Sequence, residues 1–130
     1  MVLDALLARG RAAAEALLVD ECVIRRPTGE GSDDDGNVVV TYADVYAGRC
    51  RIQQTNAQAT QEDAGEDFQL LLRLEVHVPM SVVGVETGDE VEVTASVHDP
   101  DLPGRRFVVR DLAHKSHATA RRLGVTERTS

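Results

Sequence analysis

Cys22, Cys50, His77, His98, His114 and His117 are the side chains of this 130-residue chain best suited to holding a transition metal. A zinc site needs four converging ligands, commonly supplied in pairs two to four residues apart. The cysteines lack that spacing, and each lies on a strand expected to turn apolar residues inward, where a buried free thiol packs as a small hydrophobe. His114 and His117 come closest, in the stretch HKSHATARR. Three apart on an extended strand, they project from opposite faces and cannot clamp one ion. FVVRDLAH ahead of them alternates with period two, so a strand is expected and both histidines read as exposed polar residues. No metal and no cofactor are expected.

Nucleophilic catalysis has no support either. No GxSxG and no phosphate-cradling glycine loop occurs, and ARGRAAAEALL reads as helix. Asp33, Asp35 and Asn37 alternate like the start of a calcium loop, but no acidic residue stands where such a loop needs its last, bidentate ligand. GSDDDGN instead supplies the left-handed positions of a tight hairpin turn. The chain reads as non-enzymatic, with no catalytic residues.

The remaining candidates are basic. Arg25-Arg26, Arg105-Arg106 and Arg121-Arg122 each offer a common surface one arginine, because neighbours on a strand face opposite ways. A net charge of −8 repels nucleic acid overall. With two Tyr, two Phe and no Trp, a base-stacking platform is not expected. The charge is uneven, however: residues 101–130 hold seven Arg and Lys against three Asp and Glu, and residues 1–100 hold seven against nineteen. A basic end and an acidic remainder suit like subunits packed one against the next. Arg105, Arg106, His114, Lys115, His117, Arg121 and Arg122 are therefore the candidate contacts to a subunit or partner.

The elements that must position these residues fit a single domain, residues 1–130. Residues 1–19 read as a helix with Leu3, Leu6, Leu7, Ala13, Ala14, Leu17 and Leu18 near one face and Arg11 paired with Glu15 on the other. Gly10 weakens it, and its alanine-rich face suits packing on a sheet or a neighbouring subunit. Residues 21–113 read as a β-barrel. ECVIRRPTG is a short strand ending in a turn, and NVVVTYADVYAGRCRIQ is two strands broken near Ala47-Gly48. Residues 54–67 have no periodicity and read as a long mobile loop. FQLLLRLEVHVP turns Phe68, Leu70, Leu72, Leu74, Val76 and Val78 inward, and EVEVTASVHD does the same with Val91, Val93, Ala95 and Val97. RRFVVRDLAH is a further strand. Residues 114–130 form a basic C-terminal segment in which SHATARRLGVTE makes a final edge strand. The sum is a mainly β (α+β) fold, a small antiparallel β-barrel or sandwich of six or seven strands with an N-terminal helix. No signal-length run and no stretch of the ~18 apolar residues of a membrane span occurs. Two cysteines without a framework fit a reducing cytoplasm.

LDALLARGRAAAEALLVDECVIRRPTG, YADVYAGRCRIQ, LRLEVHVP and VETGDEVEVTASVHDPDLPGRRFVVRDLAHKSHATARRLGV together resemble a family of small actinobacteriophage and prophage proteins. These are related to the head-closure (stopper, or head–tail joining) proteins of long-tailed phages. The resemblance spans nearly the whole chain and is most specific in YAGRCRIQ and in the block from DPDLPG to RRLGV. It departs at the loop 54–67 and the acidic tip 33–35. It implies a small β-barrel with a helix that assembles as a homo-oligomeric ring, twelve subunits ahead of six. Such a ring sits in the virion neck, between the portal and adaptor on one side and the tail-terminator side on the other. DNA passes through it without specific binding, and no substrate, cofactor or membrane is involved. The chain would be made in the host cytoplasm. In the ring, Glu62, Asp63, Glu66 and Asp67 of the loop would face the lumen and repel DNA, or fold across it as a gate. The competing reading is a small β-barrel that binds nucleic acid through its basic C-terminal third, and a metal-dependent enzyme is the third.

Overall fold

A computed structural model of the chain describes residues 2–57, 71–114, 116 and 118–128. Helix α1 (Val2–Ala16) precedes six strands: β1 (Asp20–Ser32), β2 (Val38–Ala57), β3 (Leu71–Val78), β4 (Glu90–Ala95), β5 (Arg106–Ala113) and β6 (Arg121–Glu127). The strands pair antiparallel and close into a barrel in the order β1, β2, β3, β6, β5, β4. The fold is thus mainly β, a small barrel with an N-terminal helix. Its interior is built from branched aliphatics, with Ile24, Val76, Val78, Val91, Val93, Val109 and Leu123 fully buried and Phe107 as the one buried aromatic among the described residues. No described helix is long and apolar enough to cross a membrane.

Several boundaries differ from the pattern in the sequence, each for a local reason. β1 does not stop at Pro27-Thr28-Gly29 but runs to Ser32. Beyond Arg25 it has left β4, so the missing N–H of Pro27 falls on a stretch paired only to β2. β2 is one strand through Ala47-Gly48. Gly48 is needed there because the Tyr46 side chain crosses it: a Cβ on Gly48 would lie 2.6 Å from the Tyr46 hydroxyl. That hydroxyl donates to the Arg49 carbonyl at 2.8 Å. β2 also continues to Ala57, so residues 54–57, expected in the loop, pair with 71–74 of β3. Residues 58–67 of that loop, with Phe68 and Leu70, lie outside the described residues.

β4 ends at Ala95, which leaves Val97, expected inward, 79% exposed in the following turn. The turn is pinned by Ser96, whose hydroxyl donates to the buried Asp20 at 2.7 Å. In β5 a register shift between Val109 and Asp111 breaks the alternation, so Phe107 and Val109 are followed inward by Leu112. β6 is no edge. It lies between β3 and β5, which carries the barrel past Ala113 to Glu127.

α1 has no buried residue. Its less exposed positions, Leu7, Gly10, Arg11, Ala14 and Glu15, mark the docked side, which meets the segment ahead of β6. A Cβ on Gly10 would lie 2.9 Å from Thr119 Cγ2, so glycine permits this approach. Arg11, expected to pair with Glu15, donates instead to the Ala118 carbonyl at 3.2 Å. At 100° per residue the apolar positions span an arc of roughly 160°. The chain covers only part of it: Leu3 and Leu6 remain 48% and 57% exposed, and Leu17, just past the helix end, 56%.

Candidate subunit interface

Three of the basic residues singled out by the sequence, Arg105, Arg106 and Arg121, are engaged within the chain. Arg105 reaches Asp101 at 2.8 Å and Glu127 at 2.6 Å. Its hydrogen bonds to Glu127 and then Asp101 raise its pKa. Arg106 stands opposite Glu92 in the β4–β5 register, 3.3 Å away. Arg121 shares the core-facing parity of Leu123 and Val125 and donates to the Met80 carbonyl at 3.2 Å. Arg122 faces outward, opposite His77. His114 is exposed just beyond β5. Lys115 and His117 lie outside the described residues, as do Glu62, Asp63, Glu66 and Asp67. Arg105 and Arg106 stand at one end of β5 and His114 at the other, so the described members do not form one patch.

Groups able to do chemistry are dispersed. Among the described residues, no three of His, Cys, Asp and Glu gather as a metal site. Cys22 and Cys50 are free and buried inside the barrel. The Cys50 thiol is held protonated by its hydrogen bond with Cys22 and by burial. His77 lies between Arg51 and Arg122 in register across β2, β3 and β6. Burial depresses its pKa first, and the two arginines push the same way, against an upward pull from Glu75. The Asp33 carboxylate accepts the amides of Asp35 at 3.0 Å and Asn37 at 2.8 Å. With Gly36 at φ 83°, this makes the segment a hairpin tip.

That tip ends an arm. β1 pairs with β4 only from Glu21 to Arg25, whereas its pairing with β2 continues to Ser32 and Val38. The far half of the hairpin therefore leaves the barrel as two strands. At its base Arg26 grips the buried Asp89, Nε to Oδ1 at 2.9 Å and Nη2 to Oδ2 at 3.0 Å. Nη2 also donates to the Gly84 carbonyl at 2.6 Å. The Glu86 amide donates to Asp89 Oδ2 at 2.8 Å, so one carboxylate ties β1 to the loop before β4.

One face of the arm is apolar and open. Pro27, Gly29, Glu30, Val40, Tyr42 and Arg128 line a groove of about 370 Å³. Val38, Val40 and Tyr42 share that side of β2 and are exposed. From Tyr42 the surface runs on past Val23, framed by charge. Arg25 lies 3.8 Å from Glu92, and Arg128 pairs with Glu90. An apolar strip inside a rim of polar and paired groups is the anatomy of a protein–protein contact. Neither the strip nor the clasp was found from the sequence. The one available signal was Val38-Val39-Val40, an unbroken apolar run where a half-buried strand alternates.

No curated protein matches the chain. A family of unknown function, DUF6093, matches it over residues 10–126, from the middle of α1 to the penultimate residue of β6. The chain belongs to this DUF6093 family.

Proposed function

We propose that this protein is a structural component of the neck of a long-tailed phage, a head-closure ring between the portal–adaptor complex and the tail. The observation that carries the reading is the pair of unpartnered apolar surfaces, one on α1 and one on the β1–β2 arm, at separate places on a compact barrel. A monomer gains nothing from either, whereas a chain with two different sticky surfaces repeats head to tail, and such contacts close into a ring when the rotation per subunit divides the circle. The resemblance in YAGRCRIQ and in the C-terminal block points the same way, with twelve subunits ahead of six. The protein's surplus of acid keeps the wall of a conduit from gripping phosphates. The role requires no catalysis and no cofactor.

Nucleic-acid binding is the second reading, favoured by the row Arg51, His77, Arg122 on one outer face. Sedimentation velocity and titration with duplex DNA separate the two. The ring reading predicts concentration-dependent closed oligomers and no DNA affinity at physiological salt. Salt-dependent DNA binding by a monomer, weakened by Arg51→Ala and Arg122→Ala, would replace it.

A further inference from the structure

The geometry points to the contact that builds the oligomer: we propose that the outward ridge of Leu3 and Leu6 on α1 in one copy, continued by Leu17 just past the helix end, lies in the arm groove of the next, against Val40 and Tyr42. This inference rests on the ring reading for the requirement that the contact repeat. Both surfaces are exposed in the same folded chain. β1 separates them: α1 leads into its start at Asp20, and the groove lies along its far half, beyond Arg25.

The two surfaces match in size and charge. A helix of 15 residues is about 22 Å long, and the arm from Val38 to Ala43 is about 20 Å. The arm, residues 27–43, carries Glu30, Asp33, Asp34 and Asp35 and no Lys or Arg. Arg9 stands exposed beside the ridge, positioned to meet that acidic edge. Helix-in-groove docking uses this geometry, with Leu3 and Leu6 at i, i+3 spacing entering an apolar trough that has a charged rim. Pairing of two α1 helices about a two-fold axis would leave the groove open, so the heterologous contact alone covers both surfaces.

Cysteine cross-linking tests this with the full chain, since Cys22 and Cys50 are buried. A Leu6→Cys, Val40→Cys double variant under mild oxidation should give a ladder of dimers, trimers and longer covalent chains, and each single variant alone should give none. Leu6→Glu and Val40→Glu, both at exposed positions, should keep the wild-type melting temperature and weaken assembly by about tenfold or more. Dimers from Leu6→Cys alone would show helix pairing and overturn the contact. Oligomers that form without the ladder, or that survive both glutamates, would overturn the contact and leave the ring reading standing. A wild-type chain that stays monomeric would overturn both.

Discussion

Three N–H groups converge on the Asp89 carboxylate, two from Arg26 and one from the Glu86 amide, and the aspartate is 1% exposed. Replacing it with alanine leaves the Glu86 amide and the Arg26 guanidinium without that acceptor. Asp89→Ala should cost about 2 kcal/mol and lower the melting temperature by about 8 °C. A melt within a degree of wild type would show that the clasp is incidental. His77 sets a pH dependence. Its imidazole is buried with Nε2 3.6 Å from Glu75, beyond hydrogen-bond reach, and its pKa is held below the ordinary 6.5. Below about pH 6.5 the unfolded chain takes up this proton before the folded one does, so stability falls as the pH drops toward the folded pKa. His77→Gln should flatten the slope of urea midpoint against pH between 7 and 5, and an unchanged slope would remove His77 from the account. Neither residue was legible as a pair. Arg26 and Asp89 are 63 residues apart, and His77 looked like any polar position on the outer face of a strand. The free, buried state of Cys22 and Cys50 was legible, because each shares a strand face with an isoleucine two residues on, Ile24 and Ile52, and a thiol there packs as a small hydrophobe.

At the scale of elements, α1 is anchored by a close approach rather than by a buried face. In an ordinary helix Gly→Ala stabilises by about 1 kcal/mol. At Gly10 the added methyl would meet Thr119 Cγ2 at 2.9 Å. Gly10→Ala alone should therefore yield no gain, and the gain of about 1 kcal/mol should return when Thr119→Ser removes the methyl. Stabilisation by the single change would mean that the helix does not dock on this segment. The helix and the strands were readable because their periods of 3.6 and two are long and clean. The ends of β1 and β2 were misread for physical reasons: Pro27 and Gly48 are turn signals in isolation, and here an unpaired edge and a crossing tyrosine ring explain them. The arm was hidden for the same reason, since its existence depends on where β4 stops pairing.

For the whole molecule, the charge imbalance in the sequence suggests a basic end reaching for a neighbour's acids. In the fold β6 closes the barrel, and two arginines of that end pair within the chain, Arg105 with Glu127 and Arg128 with Glu90, while Arg122 stays exposed. Most of the large apolar side chains left exposed among the described residues lie on or just beyond α1 and along the arm. Closure was legible only as a choice between barrel and sandwich, because strand order is set by pairings that no local period records. The central claim is that these surfaces serve a ring in a phage neck. The most direct test adds the purified protein to DNA-filled heads bearing portal and adaptor but lacking this chain, followed by cryo-EM of the vertex. The account predicts a closed ring of this protein beneath the adaptor and heads made competent to accept tails. Heads that leave the protein in solution as monomers and stay unable to join tails would contradict it.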